Sequence, residues 1–272
     1  MDVELVSASV LDRVPGWTGR PRVTEPLAGG ITNRNFRVAV DGEVFVVRIP
    51  AESGSLLGID RRVEREASRL AAVAGVGPEV IAFIEPEGVL VTRFIEGRPV
   101  RDHQVHEPVM LERIAQSLRH IHQAGSIASS FSPFRVVEAY ALTAARHGGN
   151  NDLLNANFID DGVSIRIVDW EYAGMGDRFF DFGNFAVNHQ LSEEDEERLL
   201  AAYFGRVAVA QQARLRLMRL MSDFREAMWG VLQQAISELD FDFSAYAGKH
   251  FDRLLAGAAD SRFNGWLQQA AR

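Results

Sequence analysis

The chain has 272 residues, a formal net charge of −8 and no cysteine. That length suits two lobes around a cleft, and the acidity argues against nucleic acid as the main partner while fitting a cationic small-molecule substrate. The missing cysteines exclude disulfides, thiol catalysis and cysteine zinc sites and fit a cytosolic enzyme; no apolar signal core or run of about 18 apolar residues predicts secretion or a membrane span. Nothing in the composition fixes an oligomeric state.

In chain order, Thr24 to Leu27, Phe36 to Val40 and Val44 to Ile49 read as strands, the last two joined at Asp41-Gly42. Between the first two lies AGGITNRN, in which Gly29 and Gly30 permit close backbone approach and Thr32 and Asn33 offer further donors. Taken alone this is more often a simple hairpin, and only the downstream acid-amide-acid set raises the phosphate-loop reading. Arg48 closes the third strand among apolar residues, where a charge is costly unless paired or used. It reads as a solvent-facing edge residue or as a phosphate contact.

Asp60 predicts an N-cap, and Val63, Ala67, Leu70, Ala71 and Ala74 recur at helical spacing until Gly75. Glu64 lies beside that apolar face, whereas Glu66 is one of several solvated charges. Val80 to Ile84 and Val89 to Ile95 read as two further strands, and Gly97 to Pro99 as a hinge. Beyond it the pattern turns helical, first over Val109 to Ala124. His120 and His122 there face different sides, which suits packing rather than a joint metal site. A helix is also expected over Val136 to Arg146.

The stretch NDLLNANFIDDGVSIRIVDWEYAG carries the chemistry. Asp152 and Asn157 project from an Asn-rich loop. Phe158 to Asp160 and Ser164 to Val168 form a hairpin around Asp161-Gly162, a pair that favours a tight primed turn, and so return Asp169 to the neighbourhood of Asn157. Phosphoryl transfer needs a carboxylate to orient and deprotonate the attacking hydroxyl and oxygen ligands for Mg²⁺. An Asp-x-x-x-x-Asn followed by an Asp at a strand end is the arrangement of protein-kinase-like catalysis. Farther on, Asp181 is expected to brace the catalytic loop, Ser192 to cap an acid-led helix, and Val207 to Leu239 and Ser244 to Ala259 to form long helices.

Together, AGGITNRNFRV, VVRIP, Glu64, NDLLNANF and IVDWEYAGMGDRFFDFGN resemble the choline and ethanolamine kinase branch of the aminoglycoside-phosphotransferase-like enzymes, over nearly the whole chain. The resemblance implies an α+β, two-lobed protein-kinase-like fold. Residues 1–95 would form a nucleotide-binding lobe with a five-stranded antiparallel sheet and one helix, and residues 96–272 a mainly helical lobe with the catalytic loop and substrate pocket. It further implies an ATP-dependent, Mg²⁺-requiring kinase acting on the hydroxyl of a small amino alcohol, choline before ethanolamine. Asp152 resembles the catalytic base, Asn157 and Asp169 the metal ligands, and Arg48 with Glu64 the phosphate-orienting ion pair. Gly29, Gly30, Thr32 and Asn33 resemble the loop over the nucleotide, and the backbone of Arg93 to Ile95 the adenine hinge. Glu171 resembles a supporting acid beside the substrate, with Tyr172 and Trp229 as pocket aromatics sharing a wall near Asp152.

Departures from the pattern are Leu232 in the place of a second tryptophan and Asn188 in the place of an acid. The other readings are an aminoglycoside or other small-alcohol kinase of the same fold, and a catalytically inactive nucleotide-binding module, against which the set Asp152, Asn157 and Asp169 speaks. Asn150 stands where this branch has a His two residues before the catalytic Asp. Only His147-Gly148-Gly149 joins the preceding helix to the loop, so a segment of roughly 20 to 30 residues is expected to be absent next to Asn150.

Overall fold

A computed structural model of the chain describes residues 8–27, 33–50, 60–144, 157–237 and 241–271. Its first layer is an antiparallel sheet made from β1 (Arg22–Leu27), β2 (Asn33–Val40), β3 (Glu43–Pro50), β4 (Val80–Ile84) and β5 (Val89–Arg93), in the order β1-β2-β3-β5-β4. Alternation explains its faces. Phe36, Val38 and Val40 of β2 and Phe45 and Val47 of β3 point to one side, where Leu11 of α1 (Ala8–Leu11), Val14 and Trp17 cover them; the Trp17 and Phe45 rings lie 5.0 Å apart.

Helix α2 (Arg61–Val73) starts where expected, with the Asp60 carboxylate accepting from Arg62 N at 2.9 Å, and ends before Gly75 at φ 73°. Its buried side chains are Glu64, Ala67, Ser68 and Ala71. The small residues let the helix lie close to the sheet, and the single buried carboxylate among them demands a partner.

The second sheet is short. β6 (Arg98–Pro99) pairs with β7 (Phe158–Asp160), which pairs with β8 (Ile165–Ile167), in register Arg98 to Asp160 and Phe158 to Ile167. The expected hinge residues thus add a strand to the expected hairpin. Its connection is four residues, Asp161 to Ser164, rather than a two-residue primed turn. Asp161 Oδ1 accepts from Val163 N at 2.9 Å and Ser164 N at 2.7 Å, so a side chain organises the wider loop while Gly162 takes φ 90°.

Helices build the remainder: α3 (Asp102–Val105), α4 (Pro108–Gln123), α5 (Pro133–Ala144), α6 (Arg178–Asn188), α7 (Glu193–Phe204), α8 (Val209–Ile236), α9 (Phe243–Ala258) and α10 (Phe263–Ala270). Helix α8 is the spine, with α5, α6, α9 and α10 against it. A Cβ on Gly183 of α6 would come within 2.5 Å of the Met218 carbonyl carbon, so the approach of α6 to α8 requires glycine there. Leu111, Ile114 and Leu118 of α4 meet Phe158, Ile165 and Ile167 of the hairpin and Phe182 and Phe185 of α6 in one core. The hairpin is therefore set into the core of the helical part. Among the described residues no helix is long and apolar enough to cross a membrane.

His189 closes α6 and is buried against Phe185, ring centroids 4.3 Å apart. Burial pushes its pKa down to about 4 from the ordinary 6.5, with Asp102 pulling upward and His106 reinforcing the fall. Below the unfolded value the unfolded chain takes a proton that the folded chain refuses. Stability is thus expected to fall as pH drops from about 6.5 toward about 4, a slope that urea midpoints should show and that His189→Gln should flatten.

Candidate active site

Arg48 sits near the end of β3, paired across the sheet with Asn35 and Leu90. Its Nη1 donates to Glu64 Oε1 and to Asp169 Oδ1, both at 2.7 Å. The edge-residue reading therefore does not apply, because only 13% of the side chain is exposed and it joins the buried acid of α2 to the residue following β8. Burial opposes its charge, but Asp169, Glu64 and Glu171 hold its pKa above the ordinary arginine value. Glu66, by contrast, is exposed.

A second cation enters this cluster that the sequence pattern did not single out. Arg61, in the first turn of α2, donates through Nη1 to Glu64 Oε2 at 2.8 Å and to Glu171 Oε2 at 3.2 Å. Asn33 Nδ2, at the start of β2, reaches the same Glu171 oxygen at 2.7 Å. Three carboxylates and two guanidiniums therefore form one chain of contacts from Asn33 through Glu171, Arg61, Glu64 and Arg48 to Asp169. The helical period places Arg61 one turn before Glu64, a spacing visible in the sequence.

The hairpin returns as anticipated. Val168 N donates to Asn157 O at 3.0 Å, which brings Asn157 beside the strand end that carries Asp169. Asp169 takes φ 71°, a conformation uncommon for a side chain with a Cβ, and its carboxylate is held by Arg48. Among the described residues no group of three or more His, Asp or Glu could hold a metal ion by itself. Asn157 and Asp169 are an all-oxygen pair of the kind that takes Mg²⁺ when nucleotide phosphates complete the shell, so the donor chemistry fits that ion. Asp152, Gly29, Gly30 and Thr32 lie outside the described residues, as do the Asn150 junction and the absent segment expected there.

In the segment Arg93 to Ile95, Arg93 N donates to Glu79 O at 2.9 Å and Phe94 N to Val44 O at 3.0 Å. Those two donors are used by the sheet. The Arg93 side chain points away into pairs with Glu79 and Glu43.

Next to Asp169 opens a cavity of about 270 Å³, lined among others by Tyr172, Asn184, Phe180, Asp181, His122 and Arg225. The Tyr172 hydroxyl is buried without a hydrogen-bond partner among the described residues, and burial, then Glu171, raises its pKa well above the ordinary value. Trp229 is not among the lining residues. It packs with Tyr140, Leu232 and Phe243, with Tyr246 5.0 Å from its ring, away from the cavity that Tyr172 lines. Leu232, in the place of a second tryptophan, is fully buried in that cluster. Asn188 donates to Asn184 at 3.1 Å, and Asn184 to the buried Glu226 of α8 at 3.3 Å. Asp181 bonds His122 Nε2 at 2.8 Å, and His122 Nδ1 meets Tyr203 at 2.9 Å, which gives that histidine a packing role.

Residues 23–150 match the model of the phosphotransferase enzyme family. Protein LicA of Haemophilus influenzae is 23% identical over 260 residues, covering 82% of this chain and 76% of that protein. Human ethanolamine kinase 2 is 23% identical over 299 residues, covering 88% and 77%. The crystal structure of a choline/ethanolamine kinase family protein from Mesorhizobium loti superposes with a TM-score of 0.82 at 29% identity, over 96% of this chain and 97% of that one.

Proposed function

We propose that this small-molecule kinase, similar in sequence and fold to the choline and ethanolamine kinase branch of the phosphotransferase enzymes, transfers the γ-phosphoryl group of ATP to the hydroxyl of a small amino alcohol, choline or ethanolamine. The observation that carries the reading is Arg48 joined at once to Glu64 and Asp169. A guanidinium fixed by two carboxylates at the junction of sheet and hairpin is preorganised to receive phosphate oxygens. The sheet and α2, taken as residues 1–95, hold the nucleotide; the helical part, residues 96–272, holds the alcohol.

Asp152 accepts the hydroxyl proton and aims the oxygen along the line of transfer, a task of position more than of basicity. Asn157 and Asp169 would hold Mg²⁺, which neutralises charge on the phosphates when bound. Arg48, held by Glu64 and Asp169, would turn its remaining donors to the phosphates. Gly29, Gly30 and Thr32 close over the nucleotide, and Arg93 to Ile95 receive the base. In the cavity, Tyr172 presents a ring and a free hydroxyl to the ammonium end of the alcohol, and Trp229 supports that wall from behind.

The test is ATP consumption with Mg²⁺ against choline, ethanolamine and an aminoglycoside panel. The reading predicts saturable turnover with an amino alcohol and little with aminoglycosides; ATP hydrolysis indifferent to every alcohol would remove it.

A further inference from the structure

Glu171 follows Asp169 by two residues and borders the cavity through its neighbour Tyr172, so it invites assignment to the alcohol. Its partners point the other way. It is buried, and one of its oxygens receives Asn33 from β2 at 2.7 Å and Arg61 from α2 at 3.2 Å. Both donors come from the sheet side of the molecule. Asn33 is the first described residue after the glycine pair, and Arg61 also fixes Glu64, the partner of Arg48.

Two connections thus cross between the sheet layer and the segment after β8, and they differ in kind. The Arg48 to Asp169 contact uses an oxygen that the proposed reaction recruits, so it must rearrange as nucleotide loads. The contacts of Glu171 with Arg61 and Asn33 use no group of that chemistry and can persist through turnover.

We infer that Arg61 is a positioning residue for the nucleotide: it holds Glu171 against Glu64, and Glu171 in turn holds the phosphate-loop end of β2 through Asn33. The inference rests on the kinase reading for the identity of the ligand and extends it by giving Glu171 to the nucleotide side. Arg61 touches no reacting atom. It fixes the distance between the start of β2 and the strand end that carries Asp169.

The test is a split between Michaelis constants in the intact enzyme. Arg61→Ala is expected to raise KM for Mg·ATP about tenfold while KM for the alcohol stays within about twofold, the loss appropriate to one charge-assisted bond. Arg61→Lys should recover part of it, since charge survives while the planar fork is lost. Glu171→Gln alone should give the same split, and carries the test if the arginine variant folds poorly. In a Glu171→Gln background, Arg61→Ala should add less than it costs alone, because the two share one contact while Arg61 keeps a second with Glu64. Arg62→Ala, on a side chain 78% exposed, serves as the neutral control. An unchanged KM for Mg·ATP, a rise confined to the alcohol, or strict additivity with Glu171→Gln would overturn the assignment. Should no alcohol be phosphorylated at all, the functional reading fails separately, and ATP affinity measured by calorimetry on the same variants still decides the role of Arg61.

Discussion

Replacing Asp152 by Ala is expected to lower turnover by about 10²-fold or more while leaving ATP affinity nearly intact, as befits a group that acts in the transition state. The expectation comes from two fixed points. Asn157, at the end of the Asp-x-x-x-x-Asn stretch, is tied by its carbonyl to Val168, and Asp169 is tied to Arg48. The loop that carries Asp152 therefore ends beside the strand end proposed to hold the phosphates. An Asp152→Asn variant refines the test: it keeps the shape and removes the basicity, so an equal loss in both variants assigns the effect to proton acceptance. Turnover near that of the parent, measured with saturating Mg·ATP and alcohol, would remove Asp152 from the mechanism and return the loop to an ordinary Asn-rich turn.

Much of the architecture is readable in the sequence because period and caps agree. Asp60 and Gly75 bracket α2, Ser192 caps α7 with its hydroxyl 3.1 Å from Asp195 N, and alternation marks the five strands of the sheet. Helices α1 and α3 escape because four residues give no readable period. Helix α6 escapes for another reason. Phe179, Phe180, Phe182 and Phe185 cover it nearly all round, since it packs against the hairpin, α7 and α8, and an apolar face on every side leaves no stripe to recognise.

The site divides in the same way. Arg48, Glu64 and Asp169 are legible because a charge inside an apolar pattern has to be paired or used. Arg61 is not legible, because an arginine in the first helical turn resembles any solvated charge until the fold brings Glu171 to it. Trp229 shows the converse limit: aromatic spacing on α8 is equally that of a pocket wall and of a core, and contacts with Phe243 and Tyr246 place it in the latter. Residue type reports which chemistry is available, while only tertiary packing reports which side of a helix meets the ligand.

Glu226→Ala is expected to cost about 3–5 kcal/mol of folding stability, the range for breaking a buried ion pair from one side. Glu226 is fully buried on α8, and its carboxylate takes Arg225, Asn184 at 3.3 Å and the Tyr246 hydroxyl at 2.8 Å. Arg225 is itself buried and also bonds the Tyr140 hydroxyl, whose pKa burial raises to about 12. Truncating the acid leaves a guanidinium and two uncharged donors in the interior without their shared acceptor. Replacing both members, as Arg225→Met with Glu226→Leu, removes the charge together with its partner and should recover most of the loss, because desolvating an ion pair consumes much of what its attraction returns. Urea unfolding of the three variants decides the matter. A single-variant loss below about 1 kcal/mol would show that the pair is solvated in the folded chain, as exposed pairs are. Arg225 also lines the cavity beside Tyr172. The double variant therefore separates two roles of one residue: restored stability with altered alcohol selectivity places the pair in substrate recognition, whereas restored stability with unaltered selectivity confines it to the fold.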